Sequence, residues 1–290
     1  MSKSLESILQ IAAILVVAAL IAVAGSDGGA TFSGISVFAL CAIIAFVMQW
    51  IAFIPAYLRQ TEHFFDLVGA LTNLSLIACA LLLSGNLDAR TILLAAMVSV
   101  WAARLGWFLF HRIQAAGADR RFTKVKPNPT RFLLFWTTQG LWVFLTLAAA
   151  LAAITSLHRE PLGALAAAGL IVWVGGFAIE VIADRQKSTF RNNPANAERF
   201  ISSGLWAWSR HPNYFGEILL WCGVALVAAP VLAGWQWVTL ISPVFVILLL
   251  TRASGIPLLE ASADERWGSD PDYQTYKTRT PILIMRPPAG

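Results

Sequence analysis

Apolar stretches recur along the chain near 5–24, 35–57, 65–84, 91–111, 132–154, 162–183, 214–230 and 235–251, with polar residues confined to the intervals. Each stretch approaches the roughly 20 residues that carry a helix across a bilayer. The pattern predicts an all-α fold, a polytopic membrane bundle of seven or eight transmembrane helices. The last two stretches are short and separated by "APVLAGW", where Pro230 and Gly234 break the helix, so they read either as two spans or as one helical hairpin. The first, "MSKSLESILQIAAILVVAALIAVAG", carries no small-residue cleavage signature and reads as a helix that stays. With no internal repeat or low-complexity linker, residues 1–290 are expected to form one membrane domain. In it 1–111 would supply early spans on the lipid-substrate side, and 112–290 the cofactor-binding spans and loops.

Composition strengthens this reading. The chain is 58% hydrophobic and 13% charged, about half the charged fraction usual in soluble proteins. A net charge of +5 raises the question of nucleic acid, but topology accounts for it. With the amino terminus cytoplasmic and eight crossings, every Lys and Arg falls on the cytoplasmic side except Arg90, Arg104 and Arg159. Both termini are therefore expected in the cytoplasm, with the protein in a bacterial inner membrane and no nucleic-acid partner. Cys41, Cys79 and Cys222 lie within apolar runs without paired spacing, so they read as packing thiols rather than disulfides or metal ligands.

The polar sequence on that side is concentrated in 111–131, in 184–213 and in the tail from Arg252, while "GSDGGATFSG" and "SGNLDAR" opposite are short and nearly free of charge. A site is thus expected at the cytoplasmic ends of the later helices, with loops capping a cavity. At the end of the sixth stretch Glu180, Asp184, Lys187 and Arg191 recur at three- and four-residue steps, along one helical face. A salt-bridged helix end with snorkelling cations explains them, and so does a stripe for an anionic ligand. In "SRHPNYFGE", Pro212 suits the first turn of a helix, which puts Asn213, Tyr214 and Glu217 on its opening turns. Asn213 and Glu217 share a face at i,i+4 and could grip a planar amide. Trp206, Trp208 and Tyr214 read equally as an interfacial aromatic belt, but a carboxylate inside an apolar helix is costly and points to function. In the tail, Glu260 and Asp264 form a second acidic i,i+4 pair, and Tyr273, Tyr276 and "RTPILIM" suit an ordered lid.

Together "SRHPNYFGE", "ADRQKSTFR", "SGIPLLE" and "DPDYQTY" resemble the steroid 5-alpha-reductase family, in its bacterial branch. Sterol reductases share the carboxyl-terminal pattern, and isoprenylcysteine methyltransferases share the "RHPxY" core. The resemblance implies an NADPH-dependent reductase of an electron-poor carbon–carbon double bond in a steroid-like lipid. It places Arg112, Asp184, Lys187, Arg191, Arg210, His211, Asn213, Tyr214, Glu217, Arg252 and Glu260 at positions facing the cofactor. No GxGxxG follows a strand, so the dinucleotide would occupy a helical cavity. The animal enzymes polarise the substrate carbonyl with a glutamate in the second span and a tyrosine before "HR". Here Leu109 occupies the tyrosine-like place, and the second span offers Gln49.

For an enone, negative charge grows on the carbonyl oxygen, and a donor aimed there stabilises the transition state. Asp66 is the first candidate, a carboxylic acid able to donate when protonated, with Asn73 two turns along a similar face; Glu62, Gln49 and Tyr57 are the others. An ion pair between Asp66 and intramembrane Arg104 is the structural alternative. The rival function is an S-adenosylmethionine-dependent membrane methyltransferase, for which "RHPNY" would also serve. A transporter explains the spans but not three polar blocks on one side.

Overall fold

A computed structural model describes residues 3–85, 87–116 and 122–288, with the side chains of 112–116 outside the description. Among the described residues it is all-α apart from one hairpin, β1 (Thr31–Phe32) and β2 (Ile35–Ser36). The long helices are α1 (Lys3–Gly25), α2 (Val37–Leu58), α3 (Phe65–Ser84), α4 (Ala89–Ala116), α5 (Pro129–Thr155), α6 (Ala164–Asn192) and α7 (Pro212–Ala228). An eighth apolar segment, Gly234–Trp267, is composite. It joins a 3-10 turn (Gly234–Leu240), α8 (Ile241–Leu248), a π-helical turn (Leu249–Ala253) and α9 (Ile256–Trp267). The short α10 (Pro271–Arg279) follows. Eight segments are long and apolar enough to cross a bilayer, so this is an integral membrane protein and the last two stretches are separate spans. The break between them centres on Gly234, whose φ of +51° is open to glycine, and whose missing Cβ leaves room for the Asp27 carboxylate. That carboxylate accepts from Trp235 N at 2.8 Å.

The chain divides into two compact units. The first is Met1–Ala166 with Ala225–Ser242, the second Ala167–Val224 with Pro243–Gly290. In the first unit α5 is the hub: 83% of its span is buried, against 17% for α1, because α1, α2, α3 and α4 all pack on it. From Val143 to Thr155 every residue is buried, and an alanine-rich run there lets the neighbouring helices approach. α1, α2 and α3 pack on it, and a Cβ at Gly140 would stand 2.9 Å from the Phe46 ring. An aromatic cluster of Phe65, Phe122, Phe132 and Trp136 closes one end, with Phe65 4.9 Å from both Phe122 and Trp136 between ring centroids. Arg90 is buried, and its guanidinium donates to the carbonyls of Val227 and Pro161, which offsets part of the cost of burying the charge.

In the second unit α6 and α7 meet through glycines seven residues apart on each helix. A Cβ on Gly176 would stand 2.6 Å from Gly216 O, and one on Gly223 would stand 2.6 Å from Gly169 O. Backbones this close are the small-residue packing that membrane helices use in the absence of a hydrophobic driving force. The contact fixes Glu180, whose amide nitrogen would lie 2.7 Å from a Cβ at Gly216, and with it the polar end of α6.

Candidate functional site

Beyond its apolar part α6 carries Lys187 and Arg191 one turn apart. The 3-10 turn Gly204–Ala207 is bolted to this helix: Leu205 N donates to Gln186 Oε1 at 3.0 Å, and Trp206 Nε1 donates to Ala183 O at 3.0 Å. Gly204 has φ +61°, and a side chain there would collide with Gln186. Trp206 is 3% exposed, with the Lys187 ammonium 4.3 Å from its ring centroid. It is therefore a wall of the site and not the interfacial belt residue that the sequence suggested, because its indole nitrogen has a main-chain partner on α6. Trp208 is 40% exposed.

Pro212 does open α7. Just before it, Ser209 Oγ accepts from His211 N at 3.1 Å and donates to Leu283 O at 2.9 Å. Arg210 N donates to Pro281 O, and Arg286 N to Trp208 O. The segment "RTPILIM" is thus ordered by main-chain bonds. From α9, Glu260 reaches both basic residues: Oε2 lies 2.6 Å from the Arg210 guanidinium, and Oε1 lies 2.8 Å from His211 Nε2. A bond to a carboxylate assigns the imidazole proton to Nε2 and leaves Nδ1 a bare acceptor. Among the described residues Nδ1 is buried without a partner, and so is the Arg210 Nε donor.

Both orphaned atoms belong to residues lining a cavity of about 190 Å3. Lys187, Arg191, Arg199, Arg210 and Arg266 surround it, with Glu260 the single carboxylate among its lining residues. Phe200 forms an aromatic wall, 5.3 Å from Tyr273 and 5.4 Å from Tyr276 between centroids. Tyr276 donates to Trp206 O at 2.7 Å, and Tyr273 to Asp264 Oδ1 at 3.1 Å. Burial, and then the Asp264 carboxylate, push the Tyr273 pKa up to about 12, and burial raises that of Tyr276, so both remain neutral donors. Asp264 turns to Lys277 and so parts from Glu260, its expected i,i+4 companion.

Burial holds the His211 pKa below the ordinary imidazole value; Lys187 and Arg210 act in the same direction, and Glu260 opposes them incompletely. A folded-state pKa below the unfolded one gives stability that is present above about pH 6.5 and is lost as the pH falls through the folded value. The unfolding midpoint is accordingly expected to drop on acidification below about pH 6.5. His211→Gln, neutral at every pH, should lack that limb; identical acid profiles would refute the assignment.

Of the residues expected at the cofactor, Lys187, Arg191, Arg210, His211 and Glu260 converge on this cavity. Asn213 does not line it: its Nδ2 donates to Asp184 Oδ1 at 3.2 Å, so the amide faces α6 and not along its own helix toward Glu217. Tyr214 lies stacked on His211 at 5.7 Å. Glu217 is half-buried one turn further along α7, and Arg252 is exposed in the π-helical turn. The Arg112 side chain lies outside the described residues. Arg199, Phe200 and Arg266 were not singled out in the sequence, since nothing periodic marks them.

The first unit has its own cavity of about 40 Å3 among α3, α4 and α5. Asp66 lines it, together with Asn73, Gln139 and Thr146. The other donor candidates do not. Glu62, 2% exposed, is held by the Lys126 ammonium at 2.6 Å. Gln49 Nε2 donates to Thr72 Oγ1 at 2.9 Å, and Tyr57 stacks on Phe53 at 5.6 Å.

A family model described as "Protein of unknown function (DUF1295)" matches residues 52–280. Over 86 residues the chain is 30% identical to 3-oxo-5-alpha-steroid 4-dehydrogenase 1 of Rattus norvegicus, which covers 29% of this chain and 31% of that protein. The match spans about a third of that relative's length. No solved structure matches.

Proposed function

The chain belongs to the DUF1295 family, and from that premise we propose that it is an NADPH-dependent reductase of a conjugated carbon–carbon double bond in a steroid-like lipid. The observation that carries the reading is the second unit's cavity, lined by five cations, Arg210 among them, and one carboxylate, with Arg210 Nε and His211 Nδ1 buried and unpartnered among the described residues. This charge balance suits a phosphorylated ligand. It opposes S-adenosylmethionine, which brings a sulfonium cation and no phosphate. At about 190 Å3 the cavity is below the roughly 300–1,000 Å3 of sites that enclose a drug-sized ligand, so it would take the phosphate-bearing part of a dinucleotide.

Lys187, Arg191 and Arg199 would hold the phosphates, while Arg210 Nε donates to an anionic oxygen and His211 Nδ1 accepts from a hydroxyl or amide. When bound, NADPH supplies the hydride. Glu260 keeps Arg210 and His211 oriented, and the aromatic wall around Phe200 excludes water. In the first unit Asp66 is the one donor candidate that lines the cavity, and a hydrogen bond from its carboxyl to the carbonyl oxygen of the lipid enone is the role we assign to it. The cations of the later loops support a cytoplasmic position for these segments and for both termini.

The test is thermal stability of the purified full chain with each cofactor. NADPH at a hundred times its dissociation constant should stabilise the protein by about 2.7 kcal/mol, with a smaller effect from S-adenosylmethionine. Stabilisation by S-adenosylmethionine alone would replace the reductase with the methyltransferase.

A further inference from the structure

Where the carboxyl-terminal segment meets the approach to α7, the chain is clasped at its main chain. Arg210 N donates to Pro281 O at 2.9 Å, and Arg286 N donates to Trp208 O at 3.0 Å. Between them the buried Ser209 Oγ donates to Leu283 O at 2.9 Å. Residues 281–286 are thereby tied to 208–210 and cannot lift away without losing all three bonds. Inside the clasp the chain bends at 282–284, and exposure alternates along it. Leu283 and Met285 are half-buried, whereas Ile282 is 44% exposed, Ile284 is 61% exposed and Arg286 is exposed too. Trp208, on the other side of the clasp, also shows a large part of its ring.

The depth of the clasp follows from α7. The apolar segment that α7 opens, Pro212–Val231, has 20 residues. At 1.5 Å per residue it is about 30 Å long, the thickness of a hydrocarbon core, so no turn is left over and Pro212 sits at the boundary. Trp208 and Arg210 come just before Pro212, which sets the clasp beside the headgroup layer. Single exposed apolar side chains are ordinary on a protein surface. Three of them carried by one clasp at the mouth of a span make a patch, and such patches mark contacts. The bilayer that α7 enters is the adjacent apolar phase. A tryptophan ring suits that layer, and an arginine there buries its apolar stem while its guanidinium reaches phosphates.

We propose that Trp208, Ile282 and Ile284, with Arg286 beside them, form an interfacial anchor that seats the carboxyl-terminal segment in the phospholipid headgroup layer at the mouth of α7. The anchor backs the second unit's cavity, because Arg210 and His211 line it and Ser209 Oγ accepts from His211 N at 3.1 Å. Lipid contact then holds that wall from outside, whatever the cavity binds.

Depth can be read by electron paramagnetic resonance on the full chain in nanodiscs of phosphatidylcholine and phosphatidylglycerol. Cys41, Cys79 and Cys222 are replaced by alanine, and a nitroxide is attached at Ile284→Cys. Labels at Ile171→Cys, 73% exposed within α6, and at Thr278→Cys, exposed on α10, give the lipid and water references. Relaxation by oxygen, which concentrates among acyl chains, is compared with relaxation by a water-soluble nickel chelate. The ratio at 284 is expected to be about threefold above that at 278 and below that at 171, as for a side chain seated at the headgroup boundary. A ratio equal to that at 278 overturns the proposal. So does shielding from both agents, the signature of a second copy or another protein on the patch. A second measurement keeps the native cysteines. Ile282→Ser combined with Ile284→Ser removes exposed apolar surface without emptying a core position, and hydrogen exchange at the Arg210 and Arg286 amides should quicken about tenfold in nanodiscs. Ile282→Leu combined with Ile284→Leu should retain the slow exchange. Exchange unchanged by serine, or quickened equally by leucine, also overturns the anchor.

Discussion

Replacing Glu260 by alanine is expected to destabilise the protein by about 3–5 kcal/mol, the range for breaking a buried ion pair from one side. The size follows from what the carboxylate does: one oxygen holds the Arg210 guanidinium at 2.6 Å, the other holds His211 Nε2 at 2.8 Å, and the side chains of Arg210 and Glu260 are only 12% and 17% exposed. Without it the Arg210 guanidinium remains buried beside four other cations, with no carboxylate left in the cavity lining. The unfolding midpoint in detergent should fall accordingly, and NADPH should no longer stabilise the protein, because Arg210 Nε loses its orientation. Glu260→Gln preserves shape and one acceptor, and is expected to lose clearly less. A Glu260→Ala variant within about 0.5 kcal/mol of the native protein would show the pair to be an ordinary surface bridge, whose worth is of that order.

The contrast between cavities explains what was readable from the sequence. The eight spans were visible because hydropathy at the length of a bilayer is a local property. Lys187, Arg191, Arg210, His211 and Glu260 were found because each sits at helical spacing or in a dense polar block next to an apolar run. Arg199 and Arg266 have neither signal; they reach the cavity through the course of the loop after α6 and through α9. The pairing of Asn213 with Asp184 was out of reach for a related reason, since i,i+4 spacing argued for Glu217 while the choice of partner was made by glycine contacts between α6 and α7.

In the first unit, substitution of Asp66 should separate a proton donor from a structural anion. If its protonated carboxyl polarises the lipid carbonyl, Asp66→Leu removes a donor made useful only as charge develops, and the turnover of an enone should fall about 10²–10³-fold, the loss typical of one such group. NADPH affinity should be unchanged, since the cavity that Asp66 lines belongs to the first unit. Asp66→Asn is the deciding companion, because an amide N–H still donates and should retain part of the rate. The two roles diverge there: an Asp66 that serves as the anion for Arg104 is damaged as much by asparagine as by leucine, and the loss then appears in the unfolding midpoint before it appears in turnover. Full activity in Asp66→Leu would remove the residue from the reaction. Glu62 provides the internal comparison, a carboxylate four residues away that is already neutralised by Lys126 at 2.6 Å. Its replacement is expected to lower stability and to leave the turnover of the remaining folded protein intact.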